Sequence, residues 1–425
     1  MLRDYQAKLR DETLRHWQDG CRSVLAVLQT GGGKTVTGVQ TALARGGRVA
    51  WIVPRRELAS QAVEALRRAG EEPGVLVAGM RRGDAEARVQ VCTVQTLYAR
   101  EERPPADVLV WDEAHHATAR TYREVREAYP DAVHLGLTAT PERQDGSALG
   151  DVFGALVVGP GTGDMVRGGW LADCEVWAPS EYRERALAMD PVDAWRRWGR
   201  GRASVVYADS VAAAKELAER LRGAGARAAA MWGTMPAKDR TLALEALDGG
   251  ALDCVVNNQL LTEGWDCPRV KVGIAARGFS AASTMIQSIG RVRRPWHGER
   301  ALWVDLRGCV HLHGLPDEPR EYSLAGRAMR ARDDEPIRQC SGCQRWFRPS
   351  GERCCPYCGF QAPPRERSRQ EIRAEELRVI RETTSTAAKR ERWNALMRQA
   401  RARGYRVEWA AHRFRAIYGH GPGSI

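Results

Sequence analysis

Two short stretches of this chain carry side chains that could act on a nucleoside triphosphate. The first has three glycines before a lysine and a hydroxyl residue: Thr30, Gly31, Gly32, Gly33, Lys34 and Thr35. Glycines let backbone N–H groups point at phosphate oxygens, the lysine would neutralise the β- and γ-phosphates, and the Thr35 hydroxyl would bind Mg²⁺. In the second stretch, Asp112 would hold Mg²⁺ and Glu113 would polarise an attacking water. ATP and Mg²⁺ are therefore the expected cofactors.

The neighbouring sequence places both stretches where parallel sheets bind ligands. Residues 23–28 form a buried-strand pattern before the glycines, and residues 35–45 form a helical pattern after them. Residues 108–111 are a second buried strand, whose carboxyl end carries the acidic pair. Taken alone, the first stretch could be an ordinary glycine-rich turn and the second a solvated acidic pair without a function. Leu28 also replaces the first glycine of the simple GxxxxGK[ST] pattern. Their occurrence together favours a nucleotide site.

A third stretch, Gln287 to Arg294, could complete this site from a distant part of the chain. It carries arginines that could reach the same phosphate. Phosphoryl transfer depends on positioning and charge neutralisation more than on covalent chemistry. If Lys34 and Glu113 lie in one lobe and Arg291 and Arg294 in another, catalysis requires the two lobes to close.

Strand patterns alternate with helical patterns in two separate parts of the chain. This alternation predicts an α/β fold with two tandem lobes, each with a parallel sheet and helices on both faces. A turn-rich, polar stretch separates the two parts, and a charged stretch with prolines follows the second. The predicted divisions are lobe 1 at 1–155, the interlobe connection at 156–200, lobe 2 at 201–315, a linker at 316–338, a cysteine-containing unit at 339–362 and a basic helical tail at 363–425, in which 370–380 can form a charged helix.

Two CxxC pairs, separated by eleven residues, occur in the cysteine-containing unit. Such knuckles allow four thiolates to reach one tetrahedral Zn²⁺. The unit is too short for a core of its own, so the metal would supply its folding energy. A disulfide framework is the alternative, which a cytosolic setting disfavours. The predicted Zn²⁺ ligands are Cys340, Cys343, Cys355 and Cys358.

The net charge of +12 favours a polyanionic partner. Residues 363–425 hold 15 Lys or Arg and 7 Asp or Glu, so the tail carries +8 of this charge. The tail could contact nucleic acid, or be a small helical cap with a solvated basic face.

No run of about 18 apolar residues predicts a membrane span, and the N-terminus lacks the apolar region of a secretory signal. We expect the chain in the cytoplasm of a bacterial or phage-infected cell.

The motifs, in this order, resemble those of a superfamily 2 helicase of the DEAH-like branch, of phage type and with a C-terminal zinc ribbon. The likeness covers about residues 1–310 and includes two nucleotide motifs, the coupling motif Thr138-Ala-Thr-Pro141 and the arginine motif Gln287-Ser-Ile-Gly-Arg-Val-Arg-Arg294. It implies two tandem RecA-like P-loop lobes and an ATP-driven motor that moves along nucleic acid.

The resemblance also implies roles for individual residues. Gln6 would contact the adenine base, and Gly264 and Asp266 would lie near the nucleotide. Gln287 would face the γ-phosphate, with Arg291 and Arg294 as arginine fingers. The residues that would couple hydrolysis to lobe movement are His115, Thr138 and Thr140. The residues that would line the nucleic-acid track are Arg55, Arg56, Gln61, Thr93 and Thr96.

DNA, single-stranded or forked, is the expected track because the resemblance leans towards DNA-acting, phage-like members, and RNA is the alternative. Replication, repair or defence proteins are candidate partners. Two other functions stay open. One is the motor subunit of a restriction or defence complex with its nuclease on another chain, since no acidic residue stands two positions before any of the six lysines. The other is a nucleotide-gated binding module without unwinding, whose signature would be loss of the base or the fingers.

Overall fold

The computed structural model describes residues 2–425 except 101–102, 117–119, 142–147, 180–181, 185, 259, 262–264, 318–319, 321, 326–337, 340–345, 348–353, 355–357, 362–370, 373–377, 381–385, 403–406 and 419–425. The described residues form two α/β lobes in tandem, followed by short strands and two helices. Each lobe is built on a largely parallel sheet, which confirms the predicted fold class.

Lobe 1 carries the glycine stretch and the acidic pair. Its elements are α1 Asp4–Gln18, β1 Ser23–Val27, α2 Lys34–Arg45, β2 Val49–Val53, α3 Arg56–Arg68, β3 Gly74–Leu76, β4 Val89–Thr93, α4 Val94–Tyr98, β5 Val108–Asp112, α5 Arg120–Glu127, β6 Val133–Thr138 and β7 Ala155–Val158. Among the described residues, its seven strands pair in parallel in the order β3-β4-β2-β5-β6-β1-β7. The carboxyl ends of β1, β5 and β6 therefore lie side by side.

Lobe 2 repeats this architecture around the arginine motif. Its elements are β8 Cys174–Ala178, β9 Ala186–Leu187, α7 Pro191–Ala194, a π-helical turn Trp195–Gly199, β10 Ser204–Ala208, α8 Val211–Gly223, β11 Ala228–Trp232, α9 Ala237–Asp248, β12 Cys254–Asn258, β13 Val272–Ala276, α10 Ala282–Val292, β14 Ala301–Asp305 and α11 Val310–His313; we number a short helix between β7 and β8, Thr162–Arg167, as α6. Strands β11, β12, β10, β13, β14 and β8 pair in parallel in that order.

Both sheets are covered on both faces, which explains their continuous apolar strands. Strands β1, β2 and β5 are buried along their whole length, as parallel strands between two layers of helices should be. In lobe 1, Trp51 packs in the core on one face and Trp111 in the core on the other. In lobe 2, Trp303 and Leu221 mark the two corresponding cores. Each lobe thus has its own interior.

The connection between the lobes is shorter than residues 156–200. Strand β7 pairs with β1 and so extends the lobe-1 sheet to Val158, while β8 already belongs to the lobe-2 sheet through its pairing with β14. The sequence did not reveal that lobe 2 begins this early, because residues around 183–202 are largely polar. In the structure, the short elements β9 and α7 pack against lobe 2. The connection that remains runs from β7 through α6 to β8.

The C-terminal part is only partly helical. Its described elements are β15 Arg338–Gln339, β16 Trp346–Phe347, β17 Glu371–Ile372, β18 Arg378–Ile380, α12 Thr386–Ala402 and α13 Val407–Tyr418. Where residues 370–380 are described, at 371–372 and 378–380, the predicted helix is wrong, because β17 pairs with β9 and β18 pairs antiparallel with β8. Partner strands thus override a helical composition. Helices α12 and α13 pack on each other around Leu396 and Phe414. None of the described helices is long and apolar enough to cross a membrane.

Candidate active site

The glycine stretch forms a loop between β1 and α2 that only glycines can build. Gly31 and Gly33 have φ angles of +86° and +84°, a left-handed conformation that side chains disfavour. Gly33 is the N-cap of α2, and Lys34 is its first residue. The N-terminal N–H groups of a helix and the loop N–H groups attract anions. The loop therefore has the geometry of a phosphate cradle.

Helix α1 holds this loop from behind. The Tyr5 hydroxyl donates to the Gly32 carbonyl at 2.8 Å, and Gln6 Nε2 donates to the same oxygen at 3.0 Å. The Gln6 Oε1 atom accepts the Arg3 N–H at 3.0 Å. The structure thus places the Gln6 amide on the loop backbone, whereas the resemblance implied an adenine contact. Tyr5 escaped the sequence analysis, although it stands next to Gln6.

The acidic pair lies at the carboxyl end of β5, facing the loop. Glu113 is 3% exposed, and its φ of +51° is a left-handed conformation rare for a residue with a side chain. Such a conformation costs about 1–3 kcal/mol and persists only where the surroundings impose it. Glu113 Oε1 lies 3.5 Å from the Lys34 Nζ atom, and the Glu113 N–H donates to Asp112 Oδ1 at 3.1 Å. The catalytic candidates of lobe 1 are therefore in one place.

A series of polar contacts leads from Glu113 to lobe 2. The Nδ1 atom of His115 lies 3.5 Å from Glu113 Oε2 and 3.3 Å from the Thr138 hydroxyl. The Thr138 hydroxyl donates to the Thr140 carbonyl at 2.8 Å. The Thr140 hydroxyl in turn accepts from Gln287 Nε2 at 3.4 Å. Three residues expected to couple hydrolysis to movement thus connect the carboxylate to α10.

The two arginine-finger candidates contact their own lobe. Arg291 Nη1 donates to the Trp265 carbonyl at 3.0 Å, and the Arg294 guanidinium pairs with the Asp266 carboxylate. Burial lowers the pKa of Arg294 to about 10, so it stays cationic at neutral pH. The expected nucleotide contact Gly264 lies outside the described residues. Both arginines therefore have partners within lobe 2.

The lobes meet closely where α10 faces the glycine loop. A Cβ on Gly290 would lie 2.5 Å from Thr30 Cβ, and a Cβ on Gly31 would lie 3.9 Å from the Gly290 carbonyl oxygen. The Thr30 hydroxyl is buried and has no hydrogen-bond partner among the described residues. Only glycine at position 290 allows this approach.

A buried lysine fixes the end of α10. Lys271, at 1% exposure, donates through Nζ to the Val292 carbonyl at 3.3 Å and to the Arg294 carbonyl. The Val292 carbonyl is one of those that the end of a helix leaves without backbone partners. Burial lowers the pKa of Lys271 to about 8. Sequence analysis missed this residue, although its being one of six lysines among 65 basic residues was a signal.

A surface groove collects four of the five predicted nucleic-acid residues. Its volume is about 500 Å³. The residues that line it include Arg55, Arg56, Thr93, Thr96 and Arg100. Arg55, Arg56, Thr93 and Thr96 lie at or just after the carboxyl ends of β2 and β4, so the groove lies at the same end of the sheet as the nucleotide loop. Gln61 lies half-buried on α3 and is not among the lining residues.

The residues present fit ATP and Mg²⁺. A Cβ at Gly31 would meet Leu171 and one at Gly33 would meet Gln6, so only glycines keep the shape of the loop, and Lys34 would face the β- and γ-phosphates. Asp112, 4% exposed, and the half-buried Thr35 offer the hard oxygen ligands that Mg²⁺ prefers. For zinc, Cys340, Cys343 and Cys355 lie outside the described residues, and Cys358 is exposed. Within the described part of the chain, no three His, Cys, Asp or Glu side chains could hold a metal ion.

Comparison with known families and proteins agrees with this geometry. Residues 1–143 match the family described as type III restriction enzyme, res subunit, and residues 192–295 match the helicase conserved C-terminal domain. A 51.5 kDa protein of a Lactococcus phage is 26% identical over 74% of this chain and 72% of its own length. Over both lobes, the chain is therefore similar to superfamily 2 helicases.

Two further comparisons show how much of a helicase this chain covers. A putative DNA 3'-5' helicase Rad25 of Halobacterium salinarum is 28% identical over 76% of this chain, which spans 57% of that relative. The structure of the ATP-dependent type ISP restriction-modification enzyme LlaBIII bound to DNA has a TM-score of 0.56 at 17% identity. The alignment covers 72% of this chain but only 27% of the type ISP enzyme chain. The shared part is the pair of lobes.

We predict that Gly290→Ala blocks closure of the cleft. The added methyl group would meet Thr30 Cβ, so the lobes would stay apart and kcat for ATP should fall about 100-fold, the cost of a displacement of about 1 Å. Nucleotide affinity of lobe 1 should change far less. Gly233→Ala is the control, because a Cβ there meets nothing within 4 Å. An unchanged kcat in Gly290→Ala would contradict the close approach.

We also predict a pH dependence for Lys271. Its folded pKa of about 8 lies below the value of about 10.4 in an unfolded chain. Between these values the unfolded state binds more protons, so the free energy of unfolding should rise with pH. Denaturant titrations from pH 7 to pH 10 should show this rise in wild type relative to Lys271→Met. The exposed Lys238→Met should follow the wild type, and parallel curves for Lys271→Met would refute the shift.

Proposed function

We propose that the chain hydrolyses ATP between its two lobes to move along nucleic acid, and that DNA is its track. The observation that carries this proposal is the connected path from Glu113 through His115, Thr138 and Thr140 to Gln287. A nucleotide-gated binding module would need no polar route from a catalytic carboxylate to the opposite lobe. The path gives hydrolysis a way to act on the contact between the lobes.

Lobe 1 would hold the nucleotide and activate the water. Lys34 and the loop N–H groups would bind the phosphates, while Thr35 and Asp112 would hold Mg²⁺, which neutralises charge on the phosphate oxygens. The Lys34 ammonium already lies against Glu113, so γ-phosphate binding would exchange one anionic partner for another. Glu113 would then be released to orient and polarise the attacking water.

Lobe 2 would complete the site only on closure. Gln287 would turn towards the γ-phosphate, and Arg291 and Arg294 would leave the Trp265 carbonyl and the Asp266 carboxylate for the phosphate oxygens. Because Arg294 is desolvated, its charge would act strongly on the transition state. Loss of the γ-phosphate removes these contacts and lets the lobes separate, which would advance the track.

The lobe-1 groove supports a track along the edge of the sheet. Arg55, Arg56 and Arg100 would contact phosphates, and the hydroxyl groups of Thr93 and Thr96 could donate to them. The basic tail at residues 363–425 would add charge of the same sign. DNA rather than RNA is supported by the Rad25 relative, whose name gives DNA as its substrate, and by the DNA-bound type ISP enzyme.

The match to a restriction enzyme subunit supports a second candidate function. In it, the chain is the motor of a restriction or defence complex whose nuclease belongs to another chain.

The short sequence Asp112-Glu-Ala-His115 supports the DEAH-like branch, and the two CxxC pairs support a zinc ribbon. We place the protein in the cytoplasm, where replication, repair or defence proteins could be its partners.

We predict that ATP hydrolysis is stimulated by DNA. Rates would be measured without polymer and with single-stranded DNA, duplex DNA and RNA. Lys34→Ala should lose about 100-fold or more of the stimulated rate, because it removes the charge that faces the phosphates, while the exposed Lys238→Ala should behave as wild type. Stimulation by RNA alone would overturn DNA as the track. Nucleotide binding without hydrolysis under any condition would favour a gated module or a motor that needs a partner.

We predict that the purified full-length chain contains about one zinc ion per molecule, since four thiolates complete a structural site. The double variant Cys340→Ser and Cys355→Ser should lose it, as measured by elemental analysis. Cys21→Ser, a single cysteine of lobe 1, is the matched control. Wild type without zinc, or zinc retained in the double variant, would refute the ribbon.

A further inference from the structure

Beyond α11, the chain turns back from lobe 2 towards lobe 1. At its start, the ring nitrogen Nε2 of His313 lies 2.7 Å from the Phe279 carbonyl, and Leu315 packs against a lobe-2 core. The Asp317 carboxylate then pairs with Arg293, whose side chain is 1% exposed. A charged group this deeply buried depends strongly on its partner. This end of the segment is therefore firmly attached to lobe 2.

A few residues later the same segment is attached to lobe 1. The Tyr322 hydroxyl accepts a hydrogen bond from Gln29 Nε2 at 3.0 Å. The Leu324 carbonyl accepts from the Leu149 and Gly150 N–H groups at 3.2 and 2.8 Å. The side chains of Tyr322 and Leu324 pack against the core that contains Trp111. This second attachment uses neutral hydrogen bonds and partly buried side chains.

Gln29 belongs to the turn that shapes the phosphate cradle. Its own carbonyl accepts the Gly32 N–H at 2.8 Å, which closes the turn before Gly33. Its side chain is 8% exposed and is held by Tyr322. One residue thus receives the contact from the returning segment and fixes the backbone that would face phosphate.

We propose that residues 313–317 and 322–325 are the two attached ends of an interlobe strap, in which Tyr322 is a positioning residue that holds the phosphate loop through Gln29 when the cleft is closed. The proposal deepens the proposed function, since it names a control on the same nucleotide site. Pro316 of the strap lines the interlobe space together with Gln29 and Thr30. The strap therefore crosses the cleft at the loop.

The length of the strap limits how far the lobes can part. Asp317 and Tyr322 are five residues apart, so their Cα atoms can separate by at most about 18 Å. Wider opening must detach one end. The buried ion pair of Arg293 is costly to break, whereas Tyr322 contributes a neutral hydrogen bond of about 1 kcal/mol. Opening therefore frees Tyr322 first and loosens the loop, and nucleotide binding favours reattachment.

The test is Tyr322→Phe, which removes the hydroxyl and keeps the ring. Affinity for a fluorescent ADP should fall about fivefold, the value of one neutral hydrogen bond. Hydrogen exchange of residues 28–33 should become faster in the nucleotide-free protein. In ATP hydrolysis, KM should rise by the same factor while kcat at saturation changes less than about twofold.

Tyr129→Phe is the matched control. Its hydroxyl donates to the Pro104 carbonyl at 2.9 Å, near the amino ends of β5 and β6 and so at the end of the sheet away from the phosphate loop. It should lower the melting temperature about as much as Tyr322→Phe, without changing affinity or loop exchange. Gln29→Ala should reproduce the Tyr322→Phe effects, and the double variant should add nothing further. Unchanged loop exchange, equal effects of both Tyr→Phe variants, or full additivity would overturn the strap.

These readouts separate the strap from the proposed function. Exchange and nucleotide affinity are measured without hydrolysis and without nucleic acid. A wild type that binds ADP and never hydrolyses ATP would refute the motor. The strap would still be tested by the nucleotide affinity and loop exchange of Tyr322→Phe and Gln29→Ala. If the wild type hydrolyses ATP and Tyr322→Phe changes neither nucleotide affinity nor loop exchange, the strap alone is refuted.

Discussion

The lack of a side chain at Gly290 sets how closely the two lobes can meet. Only a glycine fits against Thr30, and this approach brings Gln287, one helical turn earlier on α10, to the Thr140 hydroxyl. Gln287, Gly290 and Arg291 share one face of the helix because residues three and four apart are neighbours. The helix therefore cannot present its arginine to the cleft without also bringing its glycine against the loop. Chemistry and closure depend on one surface.

Two cations of the site each have an anionic partner within their own lobe. Lys34 lies opposite Glu113 within lobe 1, and Arg294 lies opposite Asp266 within lobe 2. Buried charges without partners would be costly, so the ion pairs make each half stable before a nucleotide arrives. A γ-phosphate would compete for both cations at once. Under the proposed mechanism, closure would be driven by the exchange of these internal partners for a shared anion.

Sequence patterns predicted the parts of the site that are local. The glycine loop, the acidic pair at the end of β5 and the parallel sheets each follow from a few consecutive residues, because strand burial and turn geometry are short-range properties. Contacts between distant residues left no pattern. Tyr322 and Gln29 are 293 positions apart, and neither stands in a distinctive composition. The pairing of β18 with β8 likewise depends on a strand edge that only the folded lobe presents.

The C-terminal part is tied to both lobes, which gives it a mechanical relation to the cleft. Strand β18 covers the edge of the lobe-2 sheet at β8, and β17 pairs with β9. Unpaired edges are prone to unwanted pairing, so this cover also protects lobe 2. Residues 326–370, which include the four cysteines of the predicted ribbon, begin beside the Leu324 contact with lobe 1 and end beside the β17 contact with lobe 2. Any opening of the cleft therefore moves the two ends of this segment relative to each other.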